Sequence, residues 1–123
     1  MKLIKQTSPT TCGQCCIAML LGISEAEAIQ MVGHDRITSD EDLISTIKWA
    51  CTPTAKAADD FISGTPPENI LALVKHREPI KFTESATIAS HREHWTIWDH
   101  GVILDPACIG KKLWPAYKHL IIS

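Results

Sequence analysis

The stretch Gln6-Thr7-Ser8-Pro9-Thr10-Thr11-Cys12-Gly13-Gln14-Cys15-Cys16-Ile17-Ala18-Met19-Leu20-Leu21-Gly22 decides how the chain is read. Up to Thr11 it is polar and interrupted by Pro9. From Cys15 to Leu21 it is apolar on every side of a helical wheel, the mark of a helix buried in a core. Gly22 is a natural stop, because glycine adopts the left-handed conformation that closes a helix. A central helix over 12–21 is therefore expected, with Cys12 in its first turn. A helix N-terminus carries partial positive charge and unpaired N–H groups, which favour the nucleophilic form of a cysteine placed there.

Further helices follow. Ser24 and Glu27 make a capping box for a helix from Glu25 to Val32, stopped by Gly33. Ser39 and Asp42 cap another, Asp40 to Ala50, with Leu43, Ile44 and Ile47 on one face. Pro66 and Pro67 are read as opening a fourth, with Ile70, Leu71 and Val74 inward, ending before Pro79. The second half turns to strands. Ile80 to Phe82 and Ala86 to Ile88 are short candidates, and Lys118 to Ile122 a last one. His94 to Trp98 and Gly101 to Asp105 form a hairpin pattern with a turn at Asp99-His100-Gly101. If Asp99 and His100 are the loop, Trp98 lies opposite Gly101, Ile97 opposite Val102, Trp95 opposite Leu104 and His94 directly opposite Asp105. Helices first and antiparallel strands after make the class α+β.

The whole chain is 123 residues, 45% hydrophobic and 21% charged, with a formal net charge of −2. That is one globular domain over 1–123, with no partner named by its charge. No run approaches the roughly 18 apolar residues of a membrane span, and no basic stripe points to nucleic acid. The five cysteines are odd in number, with Cys12, Cys15 and Cys16 crowded together. This is not a disulfide framework, so reduced thiols and a cytoplasmic location are expected. A basic Met1 to Lys5, the apolar Cys15 to Leu21 and Ala26-Glu27-Ala28 carry elements of a signal peptide. Gln6, Ser8, Pro9 and three threonines interrupt it, and Glu25 and Glu27 spoil the cleavage region.

Three features converge on one chemistry. Cys12 begins a buried helix, His94 and Asp105 pair on a hairpin, and Gln6 precedes the cysteine by six residues. Nucleophile, base and orienting acid are the parts of thiol catalysis. A side-chain amide beside the backbone N–H of the nucleophile can donate to a developing oxyanion. Other readings of these residues stand beside it. Cys12-Gly-Gln-Cys15 is formally a C-x-x-C redox motif, and with His91-x-x-His94 it counts as four zinc-type ligands at no common spacing. His91 and His100 are alternates to His94. Cys15 and Cys16 read as core, Trp95, Trp98 and Trp114 as core or groove walls, and Cys51 and Cys108 carry no signal.

Gln6 to Gly13 leading into an apolar helix resembles the glutamine-to-cysteine segment of papain-like cysteine peptidases, in particular the bacteriocin-leader peptidases. His94-Trp95-Thr96-Ile97 and Asp105-Pro106 resemble that family's histidine strand and Asp-Pro strand. Arg77-Glu78-Pro79-Ile80 and Thr38 to Leu43 also have family counterparts, so the resemblance runs from about Lys5 to Ala107. It implies a papain-like α+β fold and hydrolysis of a peptide bond through a thioester. Cys12 is then the nucleophile, His94 the base, Asp105 its orienting acid and Gln6 the oxyanion donor, with a peptide or protein substrate and no metal or organic cofactor. A silent binding or inhibitory module, and a deamidase or transamidase, are the alternatives on the same fold.

Overall fold

The computed structural model describes residues 1–50, 56–78, 92–108 and 113–123. Three helices come first: α1 (Cys12–Leu21), α2 (Glu25–Val32) and α3 (Asp40–Ala50). Their bounds match the sequence expectation because each end is chemically marked. Gly22 and Gly33 close α1 and α2 with φ of 69° and 98°, in the left-handed region that suits glycine. The capping box is complete at α2, where Ser24 accepts from the Glu27 amide and the Glu27 carboxylate from the Ser24 amide. At α3, Ser39 and Asp42 exchange the same pair of bonds at 3.1 and 2.9 Å.

Five strands follow: β1 (Ile62–Ser63), β2 (Leu71–Arg77), β3 (Glu93–Asp99), β4 (Val102–Leu104) and β5 (Ala116–Ile122). They form one antiparallel sheet in the order β1-β5-β2-β3-β4. The architecture is therefore α+β. α1 packs on β3 and against both other helices. Ile17, Ala18 and Leu20 of α1 share a core with Leu43 and Ile47 of α3 and with Leu73, Trp95, Ile97, Leu120 and Ile122 of the sheet. Among the described residues, no single helix is long and apolar enough to cross a membrane.

Two expectations are corrected. The fourth helix is not a helix: Leu71 to Arg77 is the central strand β2, flanked by β5 and β3. It is buried on both faces from Ala72 to His76. A strand covered on both sides shows no alternation, so its apolar run imitates a buried helix. The hairpin register is the second. Ile97 pairs with Leu104, Trp98 with Ile103 and Asp99 with Val102, leaving His100 and Gly101 in the turn. Both turn residues have positive φ, 51° and 92°, as a tight two-residue hairpin turn requires, and glycine accepts that where Asp99 would not so readily. The shift is two residues, so side-chain parity survives and Trp95, Ile97 and Leu104 still share a face. The candidate strands at Ile80 to Phe82 and Ala86 to Ile88, with His91 and Cys51, lie outside the described residues.

Candidate active site

Cys12 is the first residue of α1 and is 9% exposed. Its neighbours explain how it is placed. A Cβ on Gly13 would meet Thr38 Oγ1 at 2.0 Å, so only glycine lets the first turn of α1 approach the segment entering α3. The Thr11 side chain does not cap the helix. Its hydroxyl turns instead to Glu25 Oε2 at 2.9 Å, which leaves the first-turn amides unclaimed by a side-chain cap. Glu25, at the start of α2, also accepts from the Thr7 amide at 3.1 Å, the Thr7 hydroxyl at 2.6 Å and the Cys15 thiol at 3.1 Å. One carboxylate thus ties the segment before Cys12 to two helices. Burial works to raise its pKa, but these donors outweigh it and hold Glu25 below the usual carboxylate range.

The partner side chains come from the sheet. His94 lies near the start of β3 and donates from Nε2 to Asp105 Oδ1 at 2.6 Å. Its other ring nitrogen remains free to serve the Cys12 thiol, which lies near enough to favour the charged imidazole. Burial works to lower the His94 pKa. The bond to Asp105 and the contact with Cys12 overcome it and push the imidazole up to about 9. Asp105, just past β4, also accepts from the Ala107 amide at 2.9 Å. Burial opposes its ionisation, yet the His94 and Ala107 bonds carry it below the usual carboxylate range. The pair is therefore imidazolium and carboxylate at neutral pH.

Gln6 reaches the same place by a different route. Its backbone N–H donates to the carbonyl of buried Pro106 at 2.9 Å, which ties the N-terminal segment to the Asp105-Pro106 turn. Its amide donates one N–H to the Ser8 carbonyl at 2.9 Å, leaving a second available. A cleft of about 590 Å3 opens here, lined by Gln6, Pro9, His94, Asp105, Leu113 and Trp114 among others. Cys12 is not one of the lining residues, and its influence reaches the cleft through the charge of His94. Of the four residues expected from the sequence, Gln6, His94 and Asp105 line this cleft.

The alternates fall elsewhere. His100 is in the hairpin turn, 66% exposed at its side chain and bonded to Asp99 at 2.7 Å. Cys15 and Cys16 are fully buried in α1, and burial first of all pushes both thiols well up. Among the described residues, no group of three or more His, Cys, Asp or Glu side chains is placed to hold a metal ion.

One residue of the site escaped the sequence reading. His76 on β2 faces His94 across the ladder, with ring centroids 6.5 Å apart. Its Nδ1 donates to the Trp114 carbonyl at 2.8 Å, since a carbonyl can only accept. Nε2 then accepts from the Thr96 hydroxyl at 2.7 Å. Burial lowers the His76 pKa, against the Trp114 bond, and the neighbouring His94 adds to the lowering. The only sequence signal, a histidine in an apolar run, was spent on a helix that does not form.

No protein-family model, no curated protein and no solved structure matches this chain.

Proposed function

We propose that the chain is a papain-like cysteine peptidase that hydrolyses a peptide bond through an acyl-enzyme thioester. The observation that carries this reading is His94. One ring nitrogen is bonded to Asp105, and the imidazole's charged form is favoured by the nearby thiol that begins the buried helix. Three helices packed on an antiparallel sheet, with the thiol on the first helix and the imidazole on the sheet, support the fold assignment.

In the reactive form the proton of Cys12 already resides on His94, and the sulfur attacks the substrate carbonyl carbon. The oxyanion that develops is held by the Cys12 backbone N–H and the second N–H of Gln6. Asp105 fixes the ring so that the working nitrogen faces the thiol, and stabilises the imidazolium. His94 then protonates the departing amine, leaving a thioester on Cys12. A water, deprotonated by the same imidazole, attacks the thioester and releases the acid product.

An epoxide thiol probe tests this reading. Peptide mapping after reaction at neutral pH should place the adduct on Cys12, and Cys12→Ala should remove it. Equal labelling of the variant within the same cleft would overturn the assignment. Mapping is required because Cys108 is exposed and reacts with less selective alkylating agents.

A further inference from the structure

We propose that Cys12 and Cys15 close a reversible disulfide, so that the helix carrying the reactive thiol also carries its oxidative off-switch. The proposal rests on Cys12 being reactive, but it uses two features that peptide hydrolysis leaves idle. The first is spacing. Residues three apart on an α-helix have Cα atoms about 5 Å apart, from its rise and radius, which lies within the separations of about 4.4–6.8 Å that a disulfide spans. The second is the Cys15 thiol itself. It is fully buried, yet it donates to Glu25 Oε2 at 3.1 Å, so a hydrogen bond fixes where its sulfur lies on the helix. Cys16, equally buried, has no such acceptor among the described residues. The first turn of α1 has no side-chain cap, and this is the part that must tighten around the bridge.

The chemistry balances with hydrogen peroxide as oxidant. The Cys12 sulfur, relieved of its proton by His94, attacks one peroxide oxygen. An S–O bond forms, the O–O bond breaks, and hydroxide leaves to take up a proton as water. Cys12 is now a sulfenic acid and the peroxide is reduced. The Cys15 sulfur then attacks the Cys12 sulfur as its own proton is released. The S–S bond forms, the S–O bond breaks, and the departing hydroxide collects that proton as a second water. Two thiols and one peroxide become one disulfide and two waters. With its sulfur bridged, Cys12 is no longer a nucleophile. A small dithiol restores both thiols by exchange. Cys15 also spares Cys12 from further, irreversible oxidation.

The test treats the full chain with about a tenfold molar excess of hydrogen peroxide, enough to carry a thiol to the sulfonic acid, then digests it with trypsin. All three clustered cysteines lie in the peptide Gln6 to Arg36. That peptide should lose the mass of two hydrogens and regain it with dithiothreitol. Cys16→Ser should still bridge. Cys15→Ser, which keeps a donor to Glu25, and Cys15→Ala should not bridge, and should accumulate two or three oxygens at Cys12 that dithiothreitol does not remove. A bridge that persists without Cys15, or a wild-type peptide that gains oxygen without bridging, overturns the proposal. The epoxide probe run in parallel separates the two readings. Cys12 labelled but never bridged sinks the switch alone, whereas Cys12 neither labelled nor bridged sinks both.

Discussion

His94 has two ring nitrogens, and each neighbour constrains what the other can do. Asp105 holds Nε2, which orients the ring and keeps its charged form stable to about pH 9. Removing that partner leaves burial, which disfavours the charge, less opposed. Asp105→Ala should therefore bring the alkaline limb of the Cys12 labelling profile below 9 and slow labelling at neutral pH by about 10²-fold or more. Asp105→Asn keeps an acceptor without the charge and should fall between the two. An unchanged profile in the alanine variant would remove Asp105 from the site. Gln6→Ala should cost about 10²–10³ in kcat on a peptide substrate while leaving epoxide labelling largely intact, because only the acyl step builds a tetrahedral oxyanion. At this scale the pairing of His94 with Asp105 was readable because both stand on one hairpin pattern. The meeting of His94 and Asp105 came from a register two residues off, and it survived because a shift of two keeps both side chains on one face. Glu25 was not readable as an anchor, since a glutamate at a helix start already has a local explanation.

At the scale of elements, what marks an end in sequence is what was recovered. Gly22, Gly33, Ser24 and Ser39 each satisfy or terminate backbone groups within a few residues, so α1, α2 and α3 could be bounded without tertiary knowledge. β2 could not. Its partners are β5, more than forty residues on, and β3, and its cover on both faces erases the alternation that identifies a strand. Gly13 shows how an element is placed rather than formed. Gly13→Ala should destabilise the protein by about 1–3 kcal/mol in urea titration, because the new methyl has to displace Thr38. It should also lower Cys12 labelling, since the turn that moves is the one carrying the thiol. Thr38→Ala removes a buried hydroxyl that has no partner among the described residues, so alone it should be close to neutral. Combined with Gly13→Ala it should recover most of the loss. Additive losses in the double variant would show that the clash is elsewhere.

For the whole molecule, the groups that join the helical half to the sheet titrate, and their shifts set its pH range. His94 is raised from 6.5 to about 9, so its contribution is complete below about 6.5 and is lost as pH climbs towards 9. That shift corresponds to a few kcal/mol at most. His76 is displaced the other way, mainly by burial, so below about 6.5 the unfolded chain takes up its proton first and stability falls. On the acid side the carboxylates add to this. Asp40, which bonds Lys75 at 2.8 Å and also Lys118, reaches across from α3 to the sheet. It is held below the usual range against its own burial, as is Asp105, so both contributions drain away as pH falls below about 4. Stability should therefore peak near pH 6.5. The alkaline side has a second source: the buried thiols Cys15 and Cys16 are raised, so the unfolded chain releases their protons first above about 8.5. The window between 6.5 and 8.5 isolates His94. Urea midpoints of the wild type should decline across it, and those of His94→Gln should stay level. A parallel decline in both proteins would mean that the imidazole carries no extra proton in the folded state, and the His94–Asp105 ion pair would have to be abandoned.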